Sequence, residues 1–99
     1  MRIIARKTIR ESWRDAAYRD SEQALKSWYA IASQADWVGP QDVKDQFRNA
    51  SVIGNNRVVF NIAGNKYRLI VKFNYPYRMG YIRFVGTHAQ YDGINAETI

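Results

Sequence analysis

Apolar and polar side chains alternate through most of Arg57–Asp92, RVVFNIAGNKYRLIVKFNYPYRMGYIRFVGTHAQYD. A period of two is the signature of strands with one face buried and one face wet. Gly64-Asn65 lies between two such runs and signals a hairpin. Pro76 to Gly80 supplies a second turn. The stretch therefore predicts three consecutive antiparallel strands followed by a short polar tail. A tight turn at Gly64-Asn65 pairs Ala63 with Lys66, Asn61 with Arg68 and Phe60 with Leu69. A looser second turn that leaves Tyr75 opposite Gly80 pairs Phe73 with Ile82 and Lys72 with Arg83. Partners directly opposite share a face. One face then carries Val58, Phe60, Ile62, Tyr67, Leu69, Val71, Phe73, Ile82 and Phe84. The other carries Arg57, Asn61, Lys66, Arg68, Lys72 and Arg83. The apolar face needs a cover.

The earlier part of the chain predicts that cover. Arg2-Ile3-Ile4-Ala5 reads as a short strand at an edge of the same sheet. From Lys7 onward, Ile9, Trp13, Ala16 and Ala17 recur at helical spacing. Asp20 followed by Gln23 has the form of a capping box. Ala24, Leu25, Trp28, Ile31, Ala32 and Ala35 then form a second helical stripe. Trp13, Trp28 and Trp37 suit a small core better than base stacking, because large aromatics dominate small cores. Gly39-Pro40 stops the second helix, and Pro40 can start a short one through Phe47. Ser51-Val52-Ile53 is a brief extended piece, and Gly54-Asn55-Asn56 turns the chain into the strand at Arg57. The fold class expected is α+β: a small antiparallel-rich sheet with two N-terminal helices packed on one face, in a single domain over residues 1–99.

Composition adds a partner to this picture. The 99 residues suit one modest core. Lys and Arg total 15 against 9 Asp and Glu, a net charge of +6. Collected on one sheet face, that excess points to a polyanion, nucleic acid before membrane. The absence of cysteine excludes a disulfide frame and a cysteine-based metal site. No apolar run approaches the length of a membrane span, and the Ile3-Ile4-Ala5 start is too short for a signal peptide. A cytoplasmic protein without a membrane partner is the expectation.

His88 is the single histidine. It follows the last strand, with Tyr91 and Asp92 three and four residues on. One helical turn would point all three the same way. A lone histidine is more often structural or simply exposed, and with no cysteine it leaves too few ligands for a metal. The combination with the basic face is more informative. Guanidinium groups bind phosphate oxygens, often two at a time. Histidine is the side chain suited to moving protons near neutral pH. RNA carries its own nucleophile in the 2′-hydroxyl. An enzyme needs no metal or other cofactor if it removes that proton, stabilises the crowded phosphorane and protonates the leaving 5′-oxygen. The plainer reading is a basic sheet that grips nucleic acid without cutting it.

The segments FNIAGNKYRLIVKFNY and GYIRFVGTHAQYD resemble the HigB family of bacterial toxins, relatives of the RelE superfamily. The resemblance rests on the N-x-x-GNKYRL and TH-x-x-YD patterns taken together and extends over nearly the whole chain. It implies a RelE-like fold with helices on one sheet face. It also implies ribosome-dependent cleavage of mRNA and neutralisation by a helix-turn-helix antitoxin, HigA, with operator DNA met only through that antitoxin. By position, Arg68 and Arg83 resemble the family's basic sheet residues, and His88 and Tyr91 its C-terminal polar pair. The catalytic set expected is Arg68, Arg83, His88 and Tyr91. Arg57, Lys66 and Lys72 are expected to hold RNA, and Asp92 either orients His88 or caps the last turn. The alternatives are a non-catalytic RNA-binding module, or a toxin of the same fold acting on a protein such as gyrase.

Overall fold

The computed structural model describes residues 1–5 and 20–99. Its elements are β1 (Arg2–Ile4), α1 (Glu22–Gln34), α2 (Pro40–Gln46), β2 (Ser51–Ile53), β3 (Arg57–Ile62), β4 (Tyr67–Asn74), β5 (Met79–Thr87) and α3 (His88–Asp92). The strands form one sheet in the order β1-β5-β4-β3-β2. β1 runs parallel to β5; the other pairs are antiparallel. The α+β class, the three consecutive antiparallel strands and the edge position of the first strand agree with the sequence pattern. The expected helix over Lys7–Arg19, including Trp13, lies outside the described residues. The second helix is present as α1, so the packing of two N-terminal helices on the sheet is seen for one of them.

One sheet face is the core. Val58, Phe60 and Ile62 of β3 and Tyr67, Leu69, Val71 and Phe73 of β4 are buried there, against Leu25, Trp28 and Ala32 of α1 and Val43 of α2. Leu25, Trp28 and Ala32 recur at the spacing of one helix face. Ile31 belongs to the predicted stripe but is exposed, because it falls on the flank of that face. Pro40 sits at the first position of α2, where its missing N–H costs nothing. Trp28, Trp37, Phe47, Phe60 and Phe73 meet edge to face, with centroids 5.2–6.3 Å apart. Trp28 and Trp37 are thus core residues. Such a core tolerates little truncation. Leu69→Ala or Phe60→Ala, both at sites essentially without exposure, should lower the unfolding free energy by about 2–5 kcal/mol. Chemical denaturation of both variants checks this, and a loss under roughly 0.5 kcal/mol at both sites would contradict the face assignment.

Two local expectations are corrected. Asp20 is not the cap of α1. Ser21 holds that position, with no side-chain cap bond, while the Asp20 carboxylate turns to Lys66 Nζ at 2.9 Å and accepts the Tyr67 hydroxyl. These partners, Tyr67 first and Lys66 second, hold the Asp20 carboxyl below its ordinary value. The second hairpin also differs in register: its loop, residues 75–78, has the expected length but starts one position earlier. Asn74 pairs with Met79, Phe73 with Gly80 and Lys72 with Tyr81. Arg78 adopts a left-handed conformation (φ 55) and donates its N–H to the Tyr75 carbonyl at 3.0 Å, which closes the turn over 75–78. That shift of two leaves the faces of the early part of β5 unchanged. A bulge then intervenes, because Val71 pairs with Ile82 but Ile70 with Phe84. Arg83 is the extra residue. Beyond it the alternation inverts. Val85 faces the core opposite Leu69, and Phe84 shares the basic face with Ile70, not the apolar face predicted for it. The first hairpin keeps the predicted register, with Asn61 opposite Arg68 and Phe60 opposite Leu69. Its turn places Ala63 and Gly64 in the left-handed region (φ 53 and 69), which the glycine accepts without strain.

Candidate functional site

The polar site is assembled by α3 and the first hairpin. Five residues are too few to hold a helix by themselves. Thr87 supplies the missing support through a capping box. Its Oγ1 accepts the Gln90 N–H at 3.1 Å, and Gln90 Oε1 accepts the Thr87 N–H at 2.9 Å. The His88 N–H reaches the Lys66 carbonyl at 3.1 Å and fastens the helix start to the hairpin turn. His88 and Tyr91 then lie three apart on one helix, which makes them neighbours. Asp92, four residues from His88, places Oδ2 3.0 Å from its Nδ1. That contact engages the Nδ1 side of the ring and holds the imidazole in one orientation. Thr87 caps the start of α3, while the Asp92 carboxylate is directed at the His88 ring.

Arg68 completes this group. Although it lies on the face away from the main core, it is buried. Its guanidinium bonds Asn65 twice, Nη1 to the carbonyl at 3.2 Å and Nη2 to Oδ1 at 2.8 Å, and adds the Tyr67 carbonyl at 3.3 Å. The same group lies over the Tyr91 ring, 5.9 Å from its centroid. Asn65 and Tyr91 therefore hold one cation in one orientation before any ligand arrives. Opposite Arg68 in the sheet is Gly86. A Cβ there would meet Phe84 Cζ and Gln90 Oε1, each at 2.6 Å. The glycine makes room both for the Phe84 ring on this face and for the capping glutamine.

The other basic residues fall in two places. Arg57 and Arg83 come together, since Arg57 Nη2 and Nε and Arg83 Nε all donate to the main-chain oxygen of Ile99, at 2.6, 3.1 and 3.2 Å. Arg57 is buried by this arrangement, and Lys72 stands opposite it, exposed. Lys66 lies beside α3 through its carbonyl, but its ammonium is directed at Asp20. Arg68 and Arg83, expected to act on one phosphate, thus have different partners in the folded chain. Sequence reasoning missed Asn65, Gly86 and Phe84. The available signals were an asparagine three residues from the arginine, and a glycine in a strand, which marks a close approach. Among the described residues, no group of three or more His, Cys, Asp or Glu side chains could hold a metal ion.

This architecture has known relatives. Residues 21–94 match the model of the HigB toxin family, described as the RelE-like toxic component of a toxin-antitoxin system. The chain belongs to the HigB toxin family. It is also similar to the mRNA interferase HigB of Escherichia coli O6:H1, with 27% identity over 94 residues, which covers 93% of this chain and 89% of the relative. The match to the HigB family spans α1 through α3 and therefore includes the Arg68–His88–Tyr91–Asp92 group and Arg83. Membership of a toxin–antitoxin family implies an antitoxin partner. Among the described residues, no helix is long and apolar enough to cross a membrane.

Proposed function

We propose that this HigB-family toxin is a ribosome-dependent mRNA endoribonuclease that cuts by attack of the RNA's own 2′-hydroxyl. One observation carries the reading: a buried arginine held by Asn65 over Tyr91, beside a histidine whose Nδ1 is already engaged by Asp92. The name of the E. coli relative supports the substrate class. In the proposed reaction, a base removes the 2′-hydroxyl proton as the 2′-oxygen bonds to phosphorus. The bond from phosphorus to the 5′-oxygen breaks, and an acid protonates that oxygen. The products are a 2′,3′-cyclic phosphate and a 5′-hydroxyl. His88 and Tyr91 are assigned the two proton transfers, and Arg68 the charge on the phosphorane. Preorganised donors aimed at developing charge are among the strongest catalytic devices. Arg57, Arg83 and Lys72 are assigned to the RNA backbone. Lys66 joins them only if it exchanges Asp20 for a phosphate. The antitoxin proposed is a helix-turn-helix protein of the HigA kind.

The ribosome enters through alignment. In-line attack needs the 2′-oxygen, phosphorus and leaving oxygen in one line, and free mRNA rarely holds that arrangement. Positioning is worth about 7–11 kcal/mol in favourable cases. An exposed site on a small domain cannot supply all of it, so the decoding site is assigned the remainder, with the basic face docking on ribosomal RNA by charge. Purified toxin alone should cut a message slowly or not at all. With translating ribosomes it should cut at discrete codons, and raised salt should weaken that reaction. Primer extension with and without ribosomes checks this. Equally fast cleavage of naked mRNA at the same sites refutes the ribosome dependence, and intact mRNA in both arms refutes the nuclease.

A further inference from the structure

The basic face is partly covered by the chain's own last residues. After α3, residues 93–99 form a tight turn around Asn95, whose carbonyl accepts the N–H groups of Thr98 and Ile99 at 3.2 and 3.1 Å. The turn is fastened to the β2–β3 loop, where Asn55 Nδ2 donates to the Glu97 carbonyl at 2.8 Å. It ends with the Ile99 oxygen under three guanidinium N–H groups. Arg57 is further oriented by its own Nη1, bonded to the Asn55 carbonyl at 3.2 Å.

Three charged donors converging on a single oxygen form an anion cradle with a small occupant. A phosphodiester offers two nonbridging oxygens to the same donors, and a guanidinium fork is suited to taking both. The cradle is also separate from the Arg68 site. Arg83 occupies the bulge between the Ile70–Phe84 and Val71–Ile82 pairs, whereas Arg68 lies opposite Gly86. Two to three residues of strand separate them, about 7–10 Å at roughly 3.3 Å per residue. That is a spacing on the scale of successive backbone phosphates.

We infer that Arg57 and Arg83 form a second phosphate subsite for single-stranded RNA, which the 93–99 segment occupies until RNA displaces it. The inference rests on the RNA-cleaving reading for the identity of its ligand. Free toxin then binds RNA in competition with its own main chain. The fastening at Asn55 sets how strong that competition is, and Arg83 contributes to RNA affinity, not to the chemical step.

The test uses a short single-stranded RNA with a 2′-deoxy nucleotide at the cleavage position, so that binding is read without cutting. Asn55→Gly removes the bond to Glu97 and keeps the left-handed backbone of this position (φ 59), which glycine accepts. It should bind this RNA roughly 2- to 10-fold more tightly, the span of one hydrogen bond. Arg57→Gln, which removes the charge, should weaken binding, flatten its dependence on salt and abolish the gain from Asn55→Gly in the double variant. In the parent protein, hydrogen exchange at the Thr98 and Ile99 amides should speed up when RNA is added. That measurement needs no variant to fold. Unchanged affinity in Asn55→Gly, or unchanged exchange at Thr98 and Ile99 in RNA-saturated toxin, overturns the subsite. The outcome is independent of the nuclease reading. An RNA that displaces the segment but is never cut keeps the subsite and removes the enzyme, while cleavage with an immobile segment does the reverse.

Discussion

Arg68→Ala is expected to slow ribosome-dependent cleavage by about 10²-fold or more, with the loss in kcat and not in KM, as for removal of one oxyanion-type donor. Arg68 has little exposure, and Asn65 and Tyr91 hold its guanidinium against the helix that carries His88. Its charge is then in place when the phosphorane gains negative charge, and no reorganisation is needed at that moment. Arg68→Lys keeps a charge but loses the planar fork, so it should recover only part of the rate. Single-turnover cleavage on programmed ribosomes checks this, with thermal unfolding of each variant run beside it. Folded Arg68→Ala and Arg68→Lys proteins that cut at the parent rate would remove Arg68 from the reaction. Arg83→Ala makes a useful contrast, because its effect should appear in KM.

His88→Gln and Tyr91→Phe are each expected to lose about 10²–10⁴-fold in the cleavage step, the usual contribution of a general acid or base. Both substitutions keep size and remove the transferable proton. The folded state should survive them, since His88 is exposed and α3 is held by Thr87 and Gln90. Tyr91→Phe also retains the ring beneath Arg68, which separates loss of the hydroxyl from loss of the stacking partner. Asp92→Asn should cost less than His88→Gln, because it loosens the hold on the imidazole without deleting it. Growth arrest and primer extension give the readout. If His88→Gln and Tyr91→Phe both still arrest growth and cut mRNA as well as the parent, the pair is structural and the proton transfers belong elsewhere.

The site was legible in the sequence where local rules suffice. The TH-x-x-YD tail placed His88, Tyr91 and Asp92 on one turn, and α3 does so. Which residue then served which partner was not legible. Arg68 and Arg83 looked equivalent as basic residues on one face. In the folded chain one is gripped by Asn65 and the other by the Ile99 oxygen, contacts that span 3 and 16 positions of sequence. Asp20 looked like a helix cap because its local spacing allowed it, yet a lysine and a tyrosine more than forty positions away claim its carboxylate.

The same division holds for the fold. Alternation and turn residues by themselves determined the class, the three-strand meander, the first hairpin's register and the core face of β3 and β4. These are nearest-neighbour properties of the chain: side chains alternate because a strand is pleated, and Gly64 admits a conformation that other residues resist. Tertiary structure alone decided the rest. The bulge at Arg83 inserts one residue without any mark in the local pattern, and it turns Phe84 from the core to the basic face. The parallel pairing of β1 with β5 and the return of residues 93–99 to Arg57 join segments far apart in the chain. Period and propensity carry no information about such contacts. They are settled by which surfaces remain to be covered, and which charges remain to be satisfied, once the sheet and its helices have formed.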